Sequence, residues 1–234
     1  MLYIIEAKNM AKTLLSSGLQ IFFFIILFSS LVSFSQSSFT LGVKGGANFN
    51  ENIISGESMT SYSTGFNKIG FDIGITSSLH ISKDFMLIAD VIYIARSMNY
   101  DLSWNTGGVR KSAADYISVD ILPAVKFNNQ FASLYLFLGP RLETLLNYDK
   151  TIFIGSSVND KPDMNTITFG FVAGIGFEKQ VSKRSVVSLE LRYGRDLTSS
   201  GKTPLFVNYD RDYYKNSSFE FLVGLSFNLG KNKN

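Results

Sequence analysis

Charged residues recur at alternate positions on the polar side of otherwise apolar segments in this chain. Five cations (Lys44, Arg96, Lys126, Arg141, Arg192) and seven carboxylates (Asp72, Asp90, Asp120, Glu143, Glu178, Glu190, Glu220) sit this way. If those polar sides face one another, the set is nearly balanced. Two chemistries follow. One is a salt-bridged plug, because unpaired buried charge is very costly. The other is a narrow or gated path for protons or ions.

Other chemistry finds little support. The chain has no cysteine and one histidine, His80, so thiolate and His/Cys metal sites are excluded. No nucleophile–base partner for His80 stands out. Asn208, Asp210 and Asp212 resemble a calcium string, but the glycine and terminal glutamate of an EF-hand loop are missing. No cofactor motif is present. A scattered net charge of +3 argues against nucleic acid as a partner. Tyr62, Trp104, Tyr209, Tyr213 and Tyr214, set among mixed charges in polar stretches, fit protein recognition from loops.

The elements that must position these residues are strands. Phe39, Leu41, Val43, Ala47 and Phe49 alternate with Thr40, Gly42, Lys44, Gly46 and Asn48, the period of a strand with one apolar face. Seven further segments repeat the pattern: 69–81, 85–97, 116–127, 134–146, 167–178, 186–197 and 219–229. The connections 50–68, 98–115, 147–166 and 198–218 are long and polar, whereas 82–84, 128–133 and 179–185 are short. That alternation is the habit of outer-membrane barrels, with short periplasmic and long extracellular connections. Pro123 and Pro140 interrupt their strands and predict local bulges.

Residues 1–35 read as a secretory signal: basic Lys8 and Lys12, an apolar core over Ile21–Phe28, and small Ser33 and Ser35 before a cut at Gln36. Met10 is an alternative start, and an uncleaved anchor is the competing reading. No later apolar run reaches 18 residues, so any later membrane insertion requires a barrel.

Alternation alone leaves a soluble barrel open. Three features turn the apolar face outward, to lipid. Glycines crowd the opposite face. Aromatic residues gather near segment ends (Phe85, Phe127, Phe131, Phe177, Tyr100, Tyr116, Tyr148), as girdles do. The loop asymmetry has no role in a soluble barrel. The prediction is an all-β, eight-stranded antiparallel up-and-down transmembrane barrel over 36–230, with a periplasmic tail at 231–234.

Gly42-Val-Lys-Gly-Gly-Ala-Asn48, Val119-Asp-Ile-Leu-Pro-Ala-Val-Lys126, Leu138-Gly-Pro140 and Leu189-Glu-Leu-Arg-Tyr193 together resemble the PorT-like outer-membrane barrels typical of Bacteroidetes, small barrels of OmpA/OmpX type. The resemblance covers nearly all of Phe39 to Leu229 and implies the strand prolines. Asp90 and Arg96-Ser97 stand where that family carries a Glu and a Lys-Gly end. Gly224, Phe227 and Leu229 resemble the C-terminal β-signal read by the barrel-assembly machinery, with Leu222 where a polar residue is usual.

The resemblance implies an outer-membrane location in a Gram-negative bacterium, contact with lipid, and secretion or surface proteins as partners. The expected role is a non-enzymatic scaffold or binding protein acting through its outer loops, with a secretion-accessory task as one form. The alternatives are a small gated pore and an outer-membrane lipid hydrolase. The hydrolase reading is disfavoured because His80 falls beside a short turn, at the periplasmic end.

Overall fold

The computed structural model describes residues 38–56, 59–63, 68–101, 109–129, 131–152, 165–202 and 213–229. The signal segment 1–35 and the tail 231–234 lie outside them. The strands are β1 (Ser38–Gly56), β2 (Met59–Ser63), β3 (Lys68–His80), β4 (Phe85–Asp101), β5 (Val109–Asn128), β6 (Ser133–Ile152), β7 (Ile167–Gln180), β8 (Ser185–Asp196), β9 (Gly201–Lys202) and β10 (Tyr213–Asn228). Eight of them pair antiparallel in the order β1-β3-β4-β5-β6-β7-β8-β10, and β1 pairs with β10 to close the barrel. Closure leaves the sheet without a free edge, the condition for crossing lipid with strands. The short β2 and β9 add only to the ends of β1 and β10.

The apolar face points outward. Val43, Ile73, Ile75, Leu138 and Leu191 are all more than half exposed, while Lys44, Asp90, Arg141 and Arg192 are almost wholly buried. A soluble barrel would have the reverse arrangement. Phe85, Phe127, Phe131 and Phe177 form an exposed aromatic rim at the short-turn end. At the other end the Tyr193 ring meets Phe171 in a T-shaped arrangement, 6.4 Å between centres, and Phe219 at a tilt, 5.1 Å between centres. Tyr116 is a correction to the expected girdle. It shares the parity of Ser118 and Asp120, so it points inward and is 1% exposed.

The short turns are tied by serine. Ser82 Oγ accepts from the backbone N–H of Asp84 and Phe85, and Ser182 Oγ accepts from that of Arg184 and Ser185. Such side-chain closure of a turn is why Ser recurs there.

The expected bulges at Pro123 and Pro140 are not formed. The β5–β6 ladder lapses over 121–123 against 138–140 and resumes in the same register, with Asp120 opposite Arg141 and Ala124 opposite Phe137. Proline has no N–H to donate. With both prolines at one seam, the missing bonds coincide and no extra residue is inserted. Gly139 lets the strands approach there, since a Cβ would stand 2.0 Å from the Ile121 carbonyl oxygen. The shift in this ladder falls instead at Asp115/Tyr116.

The predicted long loops are partly strand. β5 and β6 are 20 residues each, about twice what a tilted membrane strand needs. Beyond the last β6–β7 pair, Thr144 with Ile167, β6 runs on beside β5 as far as Ile152 with Arg110. Tyr62 lies in β2, and Tyr213 and Tyr214 lie in β10, so these are strand rather than loop positions. At these ends the apolar alternation disappears, so periodicity gives no strand signal. Trp104 and Tyr209 lie outside the described residues.

Candidate functional site

The inward side chains form three tiers along the barrel axis. At the short-turn end is an open vestibule, in the middle a dense ionic network, and at the far end a polar chamber.

The network begins at Lys44 on β1. Its Nζ lies 3.1 Å from Asp90 and 2.7 Å from Glu190. Arg192 on β8 bonds Asp90 and Glu190 and reaches Asp120 at 3.2 Å. Arg141 on β6 holds Asp120 with two bonds of 2.9 Å and also grips Glu220. It stands 3.6 Å from Glu143, which Arg96 holds through two bonds of 2.6 and 2.7 Å. These ion pairs therefore join Lys44 to Arg96 in one connected set. Forked guanidinium–carboxylate geometry favours such pairs because each donor meets its own oxygen. Asp72 receives Asn48 Nδ2 and has no ion pair among the described residues. Lys126 pairs with Glu178, partly exposed, in the vestibule.

Three features of the lumen were missed by the sequence reading. First, Asp196 belongs to it: 3% exposed, it accepts from the backbone and side-chain nitrogens of Asn216, each at 3.0 Å. With Asp196, the described lumen holds eight carboxylates and five cations, so the expected near-balance is corrected to an acidic surplus. Asp196 shares the inward parity of Glu190 and Arg192 but is the last residue of β8, at the edge of the alternating segment.

Second, much of the filling is apolar. Met86, Ile88, Leu122, Tyr135, Phe137 and Val172 form one inner cluster, and Ile92, Ile94, Tyr116 and Leu222 another. In β4 both faces are apolar, which blurs the alternation. Third, the glycines of β7 seat aromatic rings. A Cβ on Gly176 would stand 2.1 Å from the Tyr135 ring, and one on Gly174 would stand 2.4 Å from Phe137. Tyr135 donates its hydroxyl to Glu190 at 2.5 Å, and the Arg192 guanidinium lies 5.4 Å from the Phe137 ring centre. Glycine thus makes room for the rings that wedge the charged centre.

The vestibule is a cavity of about 520 Å³ at the short-turn mouth, lined by Thr40, His80, Lys83, Lys126, Glu178 and Gln180 among others. It narrows to a neck of about 20 Å³ at Lys44, Tyr135 and Glu190, room for about one water. Among the described residues no group of three or more His, Asp or Glu is arranged to hold a metal ion.

The family model described as outer membrane protein beta-barrel domain matches residues 34–202. The chain belongs to that family. Its place is the outer membrane of a Gram-negative bacterium, with the outward apolar band in the lipid. On the family's usual orientation the short turns and the vestibule are periplasmic.

The barrel is similar to Ail of Yersinia pestis, solved with the heparin analogue sucrose octasulfate (16% identity, 82% of this chain and 97% of that one, TM-score 0.40). It is similar also to Neisserial surface protein A (16%, 82% and 99%, 0.39) and to the N-terminal barrel domain of OprF from Pseudomonas aeruginosa (9%, 83% and 100%, 0.41). These likenesses carry no function across. No curated protein matches the chain.

Proposed function

We propose that this outer-membrane barrel is a non-enzymatic scaffold that binds partner proteins with its extracellular end. The observation that carries this is the filled lumen. A connected set of ion pairs, buried beside two apolar clusters, occupies the width of the barrel, as expected where eight strands leave room only for side chains. A through path for solutes has little space.

The outer end offers the surface instead. β4, β5 and β6 continue as a sheet past their neighbours' pairing, to Asp101 with Val109 and Arg110 with Ile152. A paired sheet of this kind suits display of recognition residues. Tyr62, Trp104, Tyr209, Tyr213 and Tyr214 are the proposed contact residues at that end. A secretion-accessory task of the PorT type is one form of this role.

Gly224, Phe227 and Leu229 are proposed as the β-signal for the assembly machinery. Gly224 faces inward between Lys44 and Ser188, and Phe227 and Leu229 face lipid. The hydrolase alternative lacks a matched set, since the ring of His80 has no hydrogen-bond partner among the described residues and lies at the periplasmic mouth.

The test deletes residues 203–212 and checks that the protein still inserts and shows heat-modifiable mobility. Affinity capture from outer membranes should then recover a partner with the whole chain and lose it with the deletion. Unchanged partners together with altered lipid A in a knockout would sink the scaffold reading.

A further inference from the structure

The periplasmic vestibule is unused by a scaffold that works from outside, yet it has a charge and a shape of its own. Five cations, Lys83, Lys126, Lys179, Lys183 and Arg184, lie in or beside the two serine-tied turns and the neighbouring strand ends, against two acids, Asp84 and Glu178. The lumen above it is acidic, so the basic charge is particular to the mouth. The cavity's size, about 520 Å³, falls within the range of ligand sites. Its walls are mostly polar, which suits a polar ligand.

Two side chains that can donate, His80 and Lys83, have no hydrogen bond or ion pair among the described residues, and a third, Lys126, is held by one acid only. His80 lies at the junction of vestibule and neck, and its ring has no hydrogen-bond partner among the described residues. Lys83 holds no ion pair there; only its backbone carbonyl is engaged, by Asn128. Lys126 pairs with Glu178, and that pair is partly open to solvent. By contrast, Asn128 and Gln180 spend their amide groups on the turn carbonyls of Lys83 and Lys183. The neck is closed by Lys44, Tyr135 and Glu190, so whatever enters stops at His80.

We propose that the vestibule is a blind receptor for an acidic peptide segment of a periplasmic protein, with Lys83, Lys126 and His80 receiving its carboxylates and Glu178 opposing them. The lining sets Lys83 and Lys126 against Glu178, with Lys179, Lys183 and Arg184 nearby at the turn, and a mouth of net positive charge concentrates anionic ligands. A carboxylate displaces Glu178 from Lys126 and turns to Lys83 and the imidazole. The blind end sets the depth, which favours a short extended segment or a chain end.

The test uses the whole mature protein in lipid nanodiscs. His80 is the one histidine of the chain, so histidine-selective ¹⁵N labelling gives a single imidazole reporter. It is titrated with a short Asp/Glu peptide, its Asn/Gln amidated counterpart, and inorganic phosphate. The acidic peptide should shift His80 saturably, with phosphate at least about tenfold weaker and the neutral peptide without effect.

Lys83→Gln/Lys126→Gln should weaken the acidic peptide by about tenfold. Glu178→Gln should strengthen it severalfold, a gain that damaged folding would not produce. The proposal is overturned by equal shifts with the neutral peptide, by phosphate matching the acidic peptide, by no shift up to about 10 mM, or by Glu178→Gln weakening binding.

Discussion

The lumen centre and the periplasmic vestibule contain the same chemistry, carboxylates beside lysine and arginine, in opposite settings. In the centre, Arg192 and Asp90 are both fully buried, and each charge is met by several partners. In the vestibule, Lys126 and Glu178 form a single pair with 14% and 17% of their side chains exposed. The centre is acidic and closed; the mouth is basic and open. The difference teaches that an ion pair here is defined by what surrounds it. Where water is excluded, a charge is locked to its neighbours because desolvation makes separation costly. Where water is present, the pair is screened and exchangeable, which is what a binding site needs.

The largest expected effect comes from breaking the centre. Arg192→Met leaves Asp90, Asp120 and Glu190 short of positive charge, and should cost about 3–5 kcal/mol. Urea unfolding in nanodiscs, followed by the heat-modifiable band, measures it. A loss below about 1 kcal/mol would erase the distinction from the vestibule.

Gly176→Val comes next, at about 1–3 kcal/mol, because the added carbons meet the Tyr135 ring. The same unfolding series checks it, and a neutral result would mean that the ring is free to move. Tyr135→Phe removes only the hydroxyl given to Glu190. It should cost about 1.5–3 kcal/mol as a bond to a charged acceptor, and combining it with Lys44→Met should depart from additivity because both act on Glu190.

The smallest effect is expected for Lys126→Gln/Glu178→Gln in the vestibule, within about 1 kcal/mol. Equal losses from this pair and from Arg192→Met would break the comparison. Planar-bilayer recording sharpens it from another side: a closed centre should give no steady large openings, and such openings in the unaltered protein would refute the plug.

The strand count, the closing order and the outward apolar face were legible in the residues themselves. Strict alternation in Phe39–Phe49 or Phe219–Leu229 gives every second side chain one solvent and its neighbour another. That contrast is a local property of the chain, so it can be read without coordinates, as can the short turns built on Ser82 and Ser182. Lys44, Arg141 and Arg192 were legible as inward charges for the same reason.

Partner choice was not legible. That Arg192 of β8 meets Asp90 of β4, or that Arg141 of β6 meets Glu220 of β10, depends on which strands stand opposite after closure, across separations of 102 and 79 residues. Asp196 and Tyr116 carry the inward parity of their segments but stand at the segment ends, where the pattern does not say whether a side chain reaches the lumen, and the apolar filling of β4 was hidden because that strand is apolar on both faces. The unbulged proline seam was hidden because it depends on two strands meeting at one height. Sequence determined the staves and their faces, since a pleated strand alternates whatever its neighbours are. Only the closed barrel decided where charge is buried in pairs and where it stands open to water, because burial belongs to the assembled set of strands and to no single one.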